Sequence, residues 1–181
     1  FLPNLKEVKE IEYSTIGNGK YMLIEFQTHQ FPKNYKNVLF ELYMDGTTPI
    51  IAHPERYKAI QSDLSILMDL INSGCLVQVD AGSLVGHFSD RCYTTACEII
   101  KRKMCHVLGS DSHNDKNRNF CLNKALDKCK DMVGDCAVDY VDKNPSDLIN
   151  GNKISIPEFI TSKSTEIGGF ISSVKRYFYE K

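Results

Sequence analysis

Short apolar runs bounded by turn residues alternate along this chain with longer segments whose apolar positions recur every three or four residues. Residues 5–10 carry the first short helical pattern. Gly17-Asn18-Gly19 then marks a turn, and residues 21–26, Tyr-Met-Leu-Ile-Glu-Phe, read as a buried strand. Over 35–45, Val38, Leu39, Leu42 and Tyr43 share a helical face, with Gly46 as the C-terminal cap before a strand at 49–52. Ser62 or Asp63 caps a helix whose apolar face is Leu64, Leu67, Leu70 and Ile71, and Gly74 closes it ahead of strand 76–79. A helix over 90–101 turns Ala96, Ile99 and Ile100 inward, followed by strand 106–108 and a helix over 120–133. Asn144 reads as an N-cap with Pro145 at the first helical position of a short helix that Gly151 ends. Residues 165–179 space Ile167, Phe170, Ile171, Val174 and Phe178 as an amphipathic helix, on which Tyr177 and Tyr179 read as ordinary aromatics.

Strand-then-helix units in tandem predict an α/β fold built on a parallel sheet or a partial barrel. In such folds the residues just after successive strands converge on one face, where the chemistry sits. Here those residues are Glu25, His53 with Arg56, Asp80, and the Asp111-Ser112-His113 triplet. Extended backbone sends residues i and i+2 to the same side, which pairs Asp111 with His113. A lone histidine such as His53 is more often hydrogen-bonded core than ligand. Glu25, however, would be costly to bury behind Met22-Leu-Ile24 without a cation or hydrogen-bond donors. Carboxylates and neutral imidazoles together suit a borderline-hard divalent ion such as manganese, iron or zinc. Arg56 is placed to clamp a phosphate with two parallel hydrogen bonds, the bland alternative being a surface ion pair with Glu55 or Asp63. Arg118 is a weaker second candidate, and Asp80 either joins the site or caps the Ala81-Gly82-Ser83 turn. His29, His87 and His106 have no comparable partners and read as structural or as supports behind the ligands.

Composition narrows the partners. The 181 residues, 42% hydrophobic and 25% charged, suffice for one well-buried domain, and 22 basic against 23 acidic residues leave no electrostatic footprint for nucleic acid. No apolar run approaches bilayer-spanning length, so no membrane insertion is expected. Seven cysteines without a Cys-x-x-Cys pair suggest buried thiols in a reducing, cytoplasmic compartment, and no cysteine has the arginine six positions later that a cysteine-dependent tyrosine phosphatase uses.

Leu23-Ile-Glu-Phe26, Ile51-Ala-His-Pro-Glu-Arg-Tyr57, Ala81-Gly-Ser-Leu-x-Gly-x-Phe88 and Gly109-Ser-Asp-Ser-His-Asn114, in this order, resemble the PHP (polymerase and histidinol phosphatase) superfamily. More closely, they resemble its manganese-dependent protein-tyrosine phosphatases from bacterial capsule and exopolysaccharide operons. The resemblance covers residues 1–156 and leaves 157–181 as a C-terminal extension. It implies a distorted TIM-like (β/α)7 barrel with two or three metals, Mn2+ foremost, held in part by Glu25, His53, Asp111 and His113. It also implies Arg56 as the catalytic, phosphate-handling arginine and a bacterial tyrosine kinase of polysaccharide export as partner substrate.

Members of that group begin with a His-x-His strand, and this sequence contains none. The chain, opening on Phe1-Leu2-Pro3, is therefore expected to be a partial barrel lacking N-terminal βα units, with weak metal binding, low or no activity alone, and uncovered edge strands that favour homo-oligomers. Two alternatives stay open: a phosphatase of small esters such as histidinol phosphate, and a truncated, non-catalytic domain that binds phosphorylated partners through Arg56 and Arg118.

Overall fold

The structure, a computed structural model, describes residues 4–31, 34–113 and 120–154. A short helix α1 (Leu5–Val8) precedes four strands, β1 (Tyr21–Ile24), β2 (Thr48–Ala52), β3 (Leu76–Asp80) and β4 (Val107–Gly109). They form one parallel sheet in the order β1-β2-β3-β4, with Ile24 beside Ile51, Ile51 beside Val77 and Val79 beside Leu108. The parallel α/β expectation is met.

Alternation along the strands divides the apolar residues between two clusters. Met22, Ile24, Ile51, Val77, Val79 and Leu108 enter the main core. Tyr21, Ile50, Leu76 and Val107 enter a smaller one with Leu148 and Ile154, while Leu23 is half exposed. The main core is closed by Leu39 and Leu42 of α2 (Tyr35–Met44), by Ile60 of α3 (Lys58–Ser62), and by Leu67, Leu70 and Ile71 of α4 (Ser65–Asn72). Ala96, Ile99 and Ile100 of α6 (Asp90–Lys101), and Ala125 and Cys129 of α7 (Leu122–Val133), complete it. The remaining helices are α5 (Ala81–Leu84) and α8 (Lys143–Ile149), and residues Asp135–Tyr140 form a 3₁₀ segment. All seven cysteines are free, and six of them are buried.

Several expectations change. The helix expected after a cap at Ser62 or Asp63 forms as α4, with Asp63 accepting the Ser65 N–H at 2.9 Å, but a further short helix, α3, precedes it and stops where Asp63 is extended (φ −146°). Tyr43 does not join the core; it is 45% exposed and its ring lies over Gly74, where a Cβ would stand 2.9 Å from it. Asn144 is not the cap of the last described helix, which begins at Lys143; Pro145 occupies its third position, where a missing N–H costs no intrahelical bond. Asn144 instead donates its amide to the His106 carbonyl at 2.6 Å. The amphipathic helix expected over 165–179 lies outside the described residues.

Candidate active site

The C-terminal ends of the strands bring the sequence-selected residues to one face. Glu25 follows β1 directly, and its backbone neighbour is fixed from below: the Phe26 N–H donates to the Tyr57 hydroxyl at 3.0 Å, and that hydroxyl donates to the Ala52 carbonyl at 2.6 Å. Phe26, Phe31, Tyr35 and Tyr57 pack mostly edge to face into an aromatic cluster with ring centroids 4.6–6.1 Å apart. The Glu25 carboxylate lies 3.2 Å from His53 Nε2. Glu25 is 63% exposed, however, so the expected penalty for burying it does not arise.

His53 continues the β2 ladder through its N–H to the Gln78 carbonyl at 2.8 Å, then turns into left-handed backbone (φ 34°) ahead of Pro54. That turn buries the ring and sets it against Tyr57. Burial and the nearby Arg56 cation push its pKa below the ordinary value, against the pull of Glu25 and Asp111, so the imidazole is held neutral. Its Nδ1 is buried and finds no hydrogen-bond partner among the described residues.

Arg56 ends a 3₁₀ turn, Pro54–Arg56. It pairs with neither Glu55 nor Asp63. Its Nη1 lies 2.9 Å from Asp111 Oδ2 and 3.8 Å from Asp80 Oδ2, and its guanidinium carbon sits 4.8 Å over the Phe88 ring. Asp80 caps α5, accepting the Gly82 N–H at 2.7 Å, so the capping alternative holds, and its other oxygen lies 3.8 Å from Arg56. Asp111 stands beyond the end of β4 at φ 42°, so the strand alternation invoked for it does not hold. A tight turn does the same work: His113 Nδ1 reaches the Asp111 carbonyl at 2.7 Å and lies 3.8 Å from Asp111 Oδ1. Arg118 lies outside the described residues. His106 is remote from this face, at the entry to β4, and is structural as expected: buried, with Nδ1 accepting the Val77 N–H at 3.1 Å and a pKa lowered by burial to about 4.

Two residues stand in the quoted motifs without the roles the structure gives them. Glu55 is fully buried; its Oε1 accepts from the Asp80 N–H at 3.1 Å and the Ser83 hydroxyl at 2.7 Å, and burial raises its pKa to about 8. Phe88 forms the platform under Arg56. The first is invisible locally because a glutamate beside an arginine reads as a surface pair.

The donor types suit a divalent cation. A carboxylate and the Nε2 of a neutral imidazole face each other at Glu25 and His53, and a second carboxylate and imidazole come together at Asp111 and His113, through Nδ1 at 3.8 Å. Among the described residues no three His, Cys, Asp or Glu side chains gather into one metal-holding group, and Arg56 occupies one Asp111 oxygen.

A family model described as capsular polysaccharide synthesis, CpsB/CapC, matches residues 3–150. The chain is 33% identical over 159 residues to a putative tyrosine-protein phosphatase CapC of Staphylococcus aureus, covering 88% of this chain and 60% of that one. It is 34% identical over 112 residues to the tyrosine-protein phosphatase YwqE of Bacillus subtilis, covering 62% and 44% respectively. Among solved structures it superposes, with a TM-score of 0.80 and 26% identity over 87% of this chain and 64% of the other, on a chain from work describing YwqE of Bacillus subtilis and CpsB of Streptococcus pneumoniae as metal-dependent tyrosine phosphatases. The chain thus spans less than two thirds of the length of these relatives.

Proposed function

Because the chain belongs to the capsular polysaccharide synthesis CpsB/CapC family, we propose that it forms part of a metal-dependent protein-tyrosine phosphatase acting on a phosphorylated bacterial tyrosine kinase in the cytoplasm. The observation that carries this reading is Arg56: a guanidinium stacked on Phe88 and aimed along Asp111 and Asp80, on the strand-end face that also bears Glu25, His53 and His113. Its fork matches a phosphoryl group, which it would bind and orient with two parallel N–H donors. Glu25, His53, Asp111 and His113 are the residues we assign to the cations, manganese first and iron or zinc next. His53, kept neutral by burial, retains its lone pair for that role. The bound cations would supply Lewis-acid neutralisation of the phosphoryl oxygens and the leaving phenolate. We place the four-stranded sheet as an arc of a (β/α) barrel, a reading supported by its consecutive parallel strand order and by functional residues confined to strand C-termini.

The test is release of phosphate from a phosphotyrosyl peptide by the polypeptide as the cell makes it, with manganese and with EDTA, alongside histidinol phosphate. Hydrolysis of the peptide that EDTA abolishes supports the proposal. Turnover of the small ester alone would move the substrate class, and peptide binding without turnover under either condition would leave a binding module.

A further inference from the structure

The turn that presents Arg56 is three residues long, too short to hold its own geometry, yet it carries the guanidinium on which phosphate binding depends. What fixes it is Glu55. This side chain is 0% exposed. Its Oε1 accepts two hydrogen bonds, from the Asp80 N–H at 3.1 Å and from the Ser83 hydroxyl at 2.7 Å, tying the turn to the end of β3 and to α5. Its carbonyl accepts from the Gln61 side chain at 2.8 Å, tying the same turn to α3. Asp80 closes the circuit, since its backbone donates to Glu55 while its carboxylate faces Arg56 at 3.8 Å. The second carboxyl oxygen of Glu55, Oε2, is buried with no hydrogen-bond partner among the described residues. A buried, half-satisfied carboxyl is a poor stabiliser compared with an apolar side chain of similar size. A residue kept there for stability alone would be apolar.

We propose that Glu55 is a positioning residue: it sets the place of Arg56 relative to Asp80 and Asp111, and so the oxyanion affinity of the site. The proposal rests on reading Arg56 as the phosphate-binding group. It concerns geometry only, so the carboxyl and its amide isostere should serve alike.

The variants are Glu55→Gln, which keeps the accepting oxygen, and Glu55→Met, which keeps volume and loses it, each made alone and with Arg56→Ala in the polypeptide as the cell makes it. Steady-state kinetics on a phosphotyrosyl peptide with manganese, and urea unfolding, are measured for all. Glu55→Met should lower kcat/KM by about tenfold to a hundredfold, mostly through KM, the loss that follows when a binding group is misplaced by an ångström or less. Glu55→Gln should restore kcat/KM to within about threefold of the parent, since the anchoring acceptor is retained. In the Arg56→Ala background Glu55→Met should cost nothing further in kcat/KM, whatever it does to the unfolding midpoint. Equal losses in both backgrounds, or a Glu55→Met enzyme as active as its parent, overturn the proposal. If the parent hydrolyses nothing, the phosphatase reading has failed separately, and inorganic phosphate binding with manganese, by calorimetry, reads the same cycle. Absence of coupling there, or of phosphate binding altogether, overturns the positioning role as well.

Discussion

Replacing His106 by asparagine should flatten one specific part of the pH dependence of stability. The His106 ring is 1% exposed, its Nδ1 accepts the Val77 N–H, and its Nε2 has no hydrogen-bond partner among the described residues. Charging it would place a cation in an apolar shell and turn the accepting nitrogen into a donor facing another donor. Burial accordingly lowers its pKa from 6.5 to about 4, with a backbone hydrogen bond to Met104 offsetting part of the effect. Because the folded value lies below the unfolded one, the unfolded chain binds the extra proton. The stabilising contribution is therefore complete above pH 6.5 and is lost as pH falls toward 4. At about 1.4 kcal/mol per pH unit, that window is worth about 3 kcal/mol. Asparagine places an oxygen near the position of Nδ1, so His106→Asn keeps the bond to Val77 and removes the titration. Urea unfolding of both proteins between pH 4.5 and 7.5 gives a difference curve in which all other titrations cancel. The stability advantage of histidine should shrink by roughly 2 to 3 kcal/mol on going from pH 7.5 to 4.5. A difference independent of pH would refute the argument, because it would mean that His106 titrates alike in both states.

Glu55 should act in the opposite sense. Its folded pKa, raised from 4.5 to about 8, gives a contribution complete below pH 4.5 and lost as pH rises toward 8, so Glu55→Gln should be relatively more stable at pH 8 than at pH 5 in the same unfolding assay. Gly17→Ala should lower stability by about 2 kcal/mol or more, read as a fall in melting temperature: at φ 63° a Cβ is strained, and it would stand 2.4 Å from the Leu148 carbonyl oxygen. Arg56→Lys should raise KM for a phosphotyrosyl peptide by roughly tenfold or more, the worth of one charge-assisted hydrogen bond, since an ammonium cannot reproduce the fork. An unchanged KM would remove Arg56 from the phosphate.

The strands and long helices were legible because each shows a clean period over its length: Ile51 and Val77 as buried strand centres, Leu67, Leu70 and Ile71 as one helical face. Short elements were not. A five-residue helix such as α3 completes little more than one turn, so it writes no stripe, and Asp63 was read as a cap without the corollary that capping breaks whatever precedes it. At the site, the identity of each side chain was readable from its place after a strand, but its environment was not. Glu25 was weighed as a carboxylate costly to bury and faces solvent, whereas Glu55 entered only as a bland surface partner for Arg56 and is fully buried. The difference is made by partners 25 and 28 residues away, the Asp80 amide and the Ser83 hydroxyl, which no local pattern encodes. Asp111 reached the right neighbours by an unforeseen route, a left-handed residue in place of an extended one.

The charges on this face set a condition on any phosphate chemistry it performs. Glu25, Asp80 and Asp111 bring three carboxylates to the strand ends, while His53 is held neutral and Arg56 is the permanent cation among them. Arg56 is already engaged by two of the three. A phosphate monoester carries close to two negative charges at neutral pH, so approaching this set unaided it meets a field of its own sign. Divalent cations bound at Glu25 and Asp111, as proposed, would reverse that sign and relax the hold of Asp111 on the guanidinium, freeing the fork for the phosphoryl oxygens. Phosphate and cation should therefore bind cooperatively, and linkage requires each to raise the affinity of the other by the same factor. Calorimetry of inorganic phosphate binding with manganese and with EDTA should show at least about a tenfold difference, within the usual range of such couplings. Manganese titrated with and without saturating phosphate should return the same factor. Equal phosphate affinity in EDTA would mean that Arg56 alone overcomes the carboxylates, and the cations would then have no part in recognition.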